Sequence, residues 1–328
     1  MSLPRAMSLD PAMSAPAETA LRDAVARELA APQPDAVRAF AAALGARAKG
    51  GAAGVLFYGS ALRTGETDGL LDFYVLLDDL AGWDAGRLAR AGAAILPPNV
   101  EYAEHATPDG GRLRAKIAIM TLAQFRRHAR WRSRDTTIWT RFCQPAALAF
   151  ARDDAARDGI AQAVAVAVRS AAWWAARLGP ESGPAEAFWT ALFRRTYASE
   201  LRVESASRPS DIVARAPERF ARLLELAWTA DGLPFTRDGE GALAPAVGPD
   251  ERMRAERAWK KRRRLAKPLN LARLAKAAFT FSGGADYIAW KIERHSGHKI
   301  EVTPFQRRLP LLAAAPVLWR LWRRGVLR

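Results

Sequence analysis

The chain has 328 residues, half of them hydrophobic, and 50 Lys and Arg against 34 Asp and Glu give a formal net charge of +16. This length and composition exclude a disordered tail and allow roughly two domains with real cores. The positive charge predicts attraction to anions such as phosphates, nucleic acid or acidic lipid headgroups. The single cysteine, Cys143, excludes an internal disulfide framework and a cysteine-based zinc site.

The first half of the chain is predicted to form a helical lead-in followed by a mixed sheet. Alanine-rich helical patterns dominate residues 1–50 and end at the pair Gly50 and Gly51. Short β-rich runs bounded by Gly, Pro and Asp then predict strands over residues 55–58, 71–77, 100–104 and 113–120. A helix is predicted over residues 85–94. Residues 51–150 are therefore assigned to one domain of α+β type.

Helical periodicity dominates the second half of the chain. It predicts helices over residues 124–132, 137–142, 154–177 and 185–201. Residues 151–250 are therefore assigned to an α-rich second domain. A winged-helix-like fold is one candidate for this domain. Residues 251–328 are predicted to be a basic tail that includes the run from Lys260 to Arg264 and ends in an amphipathic helix.

A phosphate-binding turn is predicted where the first strand ends. The strand runs into Gly59 and Ser60, and eleven residues separate Ser60 from Asp72 on the next strand. Nucleotidyl transfer needs a close backbone approach to a triphosphate, which Gly59 and Ser60 can supply, and a carboxylate that holds Mg²⁺, which Asp72 can supply. Strand alternation directs Asp72 and Phe73 to opposite faces of the sheet.

This spacing resembles that of the nucleotidyltransferase superfamily, in which a second acid stands two residues after the first. Here that position is Tyr74. The alternative interpretation is an ordinary turn after a buried strand, with Asp72 as a solvated strand residue, because single motifs of this kind are often coincidental.

Several segments together resemble one family, the mitochondrial-type phosphatidate cytidylyltransferases, also called the mitochondrial translocator assembly and maintenance family. That family also has no acid at the position of Tyr74. The matching segments, in chain order, are Tyr58-Gly59-Ser60, Leu71-Asp72-Phe73-Tyr74 with Trp83 beyond it, Asn99-Val100-Glu101-Tyr102, Lys116-Ile117-Ala118, Arg141 with Pro145, and Tyr197 to Val203.

The resemblance implies a reaction in which CTP and phosphatidate give CDP-diacylglycerol and pyrophosphate with Mg²⁺ or another divalent cation. It implies metal binding by Asp72, stabilisation of the transferring or leaving phosphate by Lys116, and clamping of the triphosphate or phosphatidate by Arg141 and Arg202. Glu200 would complete the metal site from the second domain. Three other carboxylates are alternatives to Glu200, namely Asp68, Asp78 and Asp79.

A lipid substrate requires access to a bilayer, and the end of the chain is suited to it. Arg320, Arg323 and Arg324 lie at helical spacing, with Trp319 and Trp322 among apolar neighbours. The expected location is cytoplasmic, with peripheral attachment to the inner face of the membrane in a bacterial-type cell, or the mitochondrial matrix in a eukaryote. Two alternatives stay open. One is a nucleotidyltransferase that acts on nucleic acid or protein; nucleic acid is not an expected partner, because the sequence has no RNA-binding signature. The other is a non-catalytic membrane scaffold of the same fold.

Overall fold

The structure is a computed structural model that describes residues 11–198 and 208–280 and, beyond them, residues 283, 284 and 290. The helices of this part are α1 Pro11–Leu29, α2 Asp35–Arg47, α3 Ser60–Thr64, α4 Arg87–Ile95, α5 Leu122–His128, α6 Thr137–Phe142, α7 Asp154–Leu178, α8 Ala185–Tyr197, α9 Arg208–Ala214, α10 Pro217–Ala230 and α11 Pro249–Thr280. The strands are β1 Ala52–Tyr58, β2 Leu70–Leu77, β3 Asn99–Ala106, β4 Arg112–Thr121, β5 Ala146–Ala151, β6 Phe235–Arg237 and β7 Leu243–Pro245.

Five strands form one mixed sheet in the order β3-β4-β2-β1-β5, and β6 pairs with β7 separately. β1 is antiparallel to β2, β3 is antiparallel to β4, and the parallel pairing of β2 with β4 joins these two pairs. The predicted α+β class is confirmed, as are the four predicted strands, which the structure extends by one to three residues at their ends. β5 and the β6–β7 pair were not predicted.

The chain divides into two compact units, each built from two separate stretches of sequence. Among the described residues, the helical unit consists of those up to Pro32 together with those from Leu122 to Leu271, and the sheet unit consists of Gln33–Thr121 together with those from Ala272 onward. The division into four segments, with limits at residues 50, 150 and 250, stays a prediction. The predicted C-terminal amphipathic helix lies outside the described residues. No helix within the described ranges is long and apolar enough to cross a membrane.

In the sheet unit, α2 covers one face of the sheet. The ring of Phe40 on α2 lies 5.5 Å from that of Phe73 on β2, edge to face, and 5.1 Å from the imidazole of His105 on β3. Phe73 and Val75, which alternate along β2, are both fully buried. An apolar residue at every second position of β2 thus forms a core against α2.

The same covered face holds one buried carboxylate, that of Glu101 on β3. Trp83 Nε1 donates to Glu101 Oε1 at 2.8 Å, and Arg47 Nη2 donates to Glu101 Oε2 at 3.1 Å. The Arg47 guanidinium also lies 4.4 Å from the centre of the Trp83 ring. Because both oxygens are paired, Glu101 is accommodated in the core without an unsatisfied charge.

In the helical unit, α7 packs against α1, α6, α8 and α10. It begins after Asp153, whose carboxylate accepts from the amide of Ala156 at 2.7 Å as an N-cap, and it ends before Gly179. Two buried indoles join neighbouring helices, because Trp189 Nε1 donates to the carbonyl of Phe220 at 2.9 Å and Trp228 Nε1 to that of Ala172 at 3.0 Å. The α-rich composition predicted for residues 151–250 is confirmed by α7, α8, α9 and α10.

Candidate active site

The turn after β1 requires glycine for two independent reasons. Gly59 has φ 94° and ψ −160°, a conformation in which side chains other than hydrogen are strained. A Cβ at this position would also lie 2.6 Å from Asp72 Oδ2, which is shorter than any real contact of this kind. The backbone therefore passes directly over the Asp72 carboxylate, and α3 starts immediately afterwards at Ser60.

Asp72 lies in a row of four residues that crosses the sheet from β1 to β3. It pairs in register with Tyr58 on β1 and with Lys116 on β4, and Lys116 pairs with Tyr102 on β3. Directly paired residues in a sheet share a face, so these four side chains lie on the face opposite Phe73. We call this surface the Asp72 face. Asp72 is half-buried and Lys116 is exposed, so the row is open to solvent at its centre.

One step along the strands, the Asp72 face carries a cluster of charged groups. Glu104 on β3 pairs in register with Arg114 on β4, two residues before Lys116. Glu104 Oε1 accepts from the Tyr102 hydroxyl at 2.7 Å and Glu104 Oε2 accepts from Arg112 Nη1 at 2.8 Å. Arg114 Nε lies 3.6 Å from Glu104 Oε1, and it is buried without a hydrogen-bond partner in the described part of the chain.

The environment of this cluster shifts two pKa values in opposite directions. Burial and the hydrogen bond to Glu104 raise the pKa of the Tyr102 hydroxyl, so it stays protonated as a donor. For Glu104, burial alone would raise the pKa, but the hydrogen bonds from Tyr102 and Arg112 and the nearby Arg114 charge together lower it. The carboxylate is therefore charged at neutral pH, and the three cations Arg112, Arg114 and Lys116 line one side of β4.

A buried aromatic ring stands two residues after Asp72, at the position where the nucleotidyltransferase pattern that the sequence resembles has a second acid. Tyr74 is only 1% exposed, and its ring centre lies 5.4 Å from that of Tyr58. It shares the Asp72 face by strand alternation. This position therefore contributes packing rather than a metal ligand.

Of the described residues at the Gly59 turn, only a single carboxylate could contribute to binding a Mg²⁺ ion, so substrate phosphates and water would have to supply the other ligands. Mg²⁺ is commonly bound by one or two carboxylates together with water and substrate phosphates, rather than by an all-protein cage. Asp72, whose carboxylate lies beside the backbone at Gly59, could provide one such hard oxygen ligand. Within the described residues no group of three or more His, Cys, Asp or Glu side chains could hold a metal ion on its own.

The other predicted site residues are distributed more widely. Ser60 is exposed at the first position of α3, and Asp68 is exposed in the loop before β2. Asp78 is exposed after β2, while Asp79 accepts from the amide of Ala81 at 2.9 Å and so caps a short 3-10 helix. Arg141 lies on α6 of the helical unit. Glu200 and Arg202 lie outside the described residues.

Two cations and one carboxylate of the Asp72 face were not identified from the sequence. Arg112 and Arg114 precede Lys116 at intervals of two residues, and that alternation was a visible signal that all three share a face of β4. Glu104 gave no such signal, because its pairing with Arg114 depends on the register between β3 and β4.

No protein-family model matches the chain, and no curated protein matches it. The resemblance to the mitochondrial-type phosphatidate cytidylyltransferases therefore stays a prediction that depends on the motifs given above.

Proposed function

We propose that the chain is a CTP:phosphatidate cytidylyltransferase that forms CDP-diacylglycerol and pyrophosphate at a membrane surface. The observation that carries this proposal is the approach of Gly59 to Asp72, where even a methyl group would collide with the carboxylate. A turn that presents backbone directly beside a carboxylate suits a polyphosphate with a bound cation, since both the amide groups and the metal ligand are then within reach. A solvated strand residue would not need such a turn.

The proposed reaction needs no side-chain base. Phosphatidate is a phosphomonoester whose second pKa is about 6, so it is already a nucleophilic anion at neutral pH. One of its oxygens forms a bond to the α-phosphorus of CTP, the bond from that phosphorus to the oxygen bridging to the β-phosphate breaks, and pyrophosphate leaves with those electrons. Bound Mg²⁺ would supply charge neutralisation for the triphosphate.

The Gly59 turn and several residues of the Asp72 face have proposed parts in this scheme. Asp72 would hold the cation, and Gly59 and Ser60 would bring backbone and hydroxyl donors to the phosphates. Lys116, exposed beside Asp72 in the register of the sheet, would stabilise charge on the transferring or leaving phosphate. Arg114 would add a second cation on the same strand, with Glu104 orienting it.

The test is a transfer assay with purified protein, labelled CTP, Mg²⁺ and vesicles that contain phosphatidate. We expect label in CDP-diacylglycerol and none without Mg²⁺. Lys116→Ala should lower the transfer rate by about 10²-fold or more, the usual cost of losing one group that stabilises transition-state charge. Lys49→Ala removes another exposed lysine of the same unit and is the matched control.

The same assay distinguishes the alternatives. Label in added RNA or protein, with none in lipid, would favour a nucleotidyltransferase with another acceptor. Folded protein that transfers label to no acceptor would favour the non-catalytic scaffold. Full turnover by Lys116→Ala would remove Lys116 from the mechanism.

A further inference from the structure

The inner side of helix α11 uses its arginines for packing within the helical unit. Arg252 Nη1 donates to the carbonyl of Gly179 at 2.9 Å, and Arg262 Nε donates to that of Ser133 at 3.0 Å. Trp259 on the same side is 3% exposed. These charges are bound to carbonyl groups, so they stabilise the position of α11 on its unit.

The outer side of the same helix carries a continuous row of exposed side chains that we call the outer stripe. Its members follow one another at intervals of four and three residues, which places them on one helix face. The outer stripe consists of Met253, Arg257, Lys260, Arg264, Lys267 and Leu271. Four cations thus occupy the middle of the stripe, and an apolar residue stands at each end.

The cations of the outer stripe have no acidic partners among the described residues. Arg257 donates to Met253 Sδ at 3.3 Å, while Lys260, Arg264 and Lys267 make no hydrogen bond or ion pair in that part of the chain. Like charges at these intervals repel one another along a helix. The electrostatic repulsion within the outer stripe is therefore slightly unfavourable for the isolated helix. An anionic surface placed against the stripe would make the electrostatic energy of these cations favourable.

The ends of the outer stripe favour one kind of anionic surface. Met253 is 45% exposed and Leu271 is 65% exposed. A nucleic acid backbone would engage the cations but would gain nothing from these two side chains. At a bilayer, the cations meet headgroup phosphates while apolar side chains enter the boundary with the acyl chains.

We propose that the outer stripe of α11 is a docking surface for a bilayer that contains anionic phospholipid. This inference goes beyond the proposed transfer reaction and does not depend on it, since the charges and exposures of α11 are the same whatever the active site does. Docking can therefore be measured without CTP or any acceptor.

The experiment measures binding of the full chain to phosphatidylcholine vesicles with and without phosphatidylglycerol. A triple variant, called the stripe variant, combines Lys260→Gln, Arg264→Gln and Lys267→Gln. It should bind the anionic vesicles about tenfold or more weakly than the unaltered protein, because each cation near an anionic leaflet contributes measurably. Binding to pure phosphatidylcholine should be weak for both proteins.

A matched control removes three exposed arginines that make no ion pair within the described residues and that lie elsewhere in the same unit, through Arg127→Gln, Arg215→Gln and Arg222→Gln. Its net charge equals that of the stripe variant, so a loss confined to the stripe variant supports the surface rather than the total charge. Thermal unfolding confirms that both variants fold. Equal binding by the two triple variants would overturn the proposal.

A second variant separates lipid from nucleic acid. Leu271→Gln should weaken binding to anionic vesicles and leave any binding to duplex RNA unchanged. If Leu271→Gln binds vesicles as the unaltered protein does, while RNA binding depends on the stripe cations, the surface is a nucleic-acid site and the lipid proposal fails. Transfer activity does not enter either measurement, so failure of docking and failure of the proposed reaction are distinguishable.

Discussion

The two faces of the sheet hold their charged groups in different ways. On the face covered by α2, the carboxylate of Glu101 is buried and both of its oxygens are paired. On the Asp72 face, Lys116 is exposed, and Arg114 has a buried Nε that makes no hydrogen bond within the described residues. Neighbouring residues on β2 and β4 thus differ in their surroundings, because alternate side chains stabilise the core and the others lie on the Asp72 face.

The largest expected effect is that of Asp72→Asn, which should lower transfer without lowering stability. We expect transfer to fall by about 10³-fold, because loss of the carboxylate charge removes several kcal/mol of metal and phosphate stabilisation. The melting temperature should change little, since Asp72 is half-buried and borders solvent. A matched pair of transfer and thermal unfolding measurements checks both parts, and an active Asp72→Asn protein would contradict the proposed site.

Substitution of the adjacent residue, Phe73, should instead lower stability. Phe73→Ala leaves a cavity where a fully buried ring contacts Phe40, so we expect a loss of about 3–5 kcal/mol in the free energy of unfolding. Chemical denaturation provides the measurement, and Phe73→Leu is the milder control. A Phe73→Ala protein as stable as the parent would show that the α2-covered face is not the core.

Gly59→Ala should lower both stability and transfer, unlike a substitution on either face of the sheet. The backbone conformation at Gly59 should cost about 1–3 kcal/mol of stability, and the new Cβ must displace the Asp72 carboxylate and lower transfer. Gly50→Ala is the control, because Gly50 also has a positive φ of 84° but has nothing within 4 Å of a new Cβ. Equal transfer by the two variants would contradict a role for the close approach.

The smallest expected effect concerns pH and Glu104. Its pKa is lowered in the folded protein, so it contributes stability above its unfolded pKa, and that contribution is lost as the pH falls through the lowered folded pKa. Glu104→Gln should therefore be less stable than the parent at pH 7, and the difference in Tm should shrink in acid. A difference that stays constant between about pH 7 and about pH 3 would show that the charge of Glu104 is not involved.

Local signals in the sequence predicted the strands that carry the candidate site but not the way in which they meet. The β-rich runs around Phe57, Phe73 and Ile117 are long enough to stand out from their Gly and Asp boundaries, and the opposite directions of Asp72 and Phe73 follow from alternation alone. The partner of Asp72 across the sheet depends on the parallel register of β2 with β4. That register is a tertiary property, which a single sequence does not encode in any local pattern.

Two other elements were missed for physical reasons that the sequence makes plain. β5 has the sequence Ala-Ala-Leu-Ala-Phe-Ala, which contains no β-branched residue and so lacks the usual strand signal. The long helix α11 contains Pro268 and a dense run of like charges, both of which argue locally against a continuous helix. In its amino-terminal part, packing by Trp259 and by the arginines on its inner side outweighs the charge repulsion.

The parallel pairing of β2 with β4 also has a consequence for folding. Asp72 belongs to the antiparallel pair β1–β2 and Lys116 to the pair β3–β4, and only the β2–β4 pairing brings them together. Each antiparallel pair closes a shorter loop than the pairing between them, so we expect the two pairs to form first. A chain arrested at that stage would contain every residue of the row and still lack the site. During refolding, transfer activity should accordingly return after the amides of the two antiparallel pairs become protected from exchange.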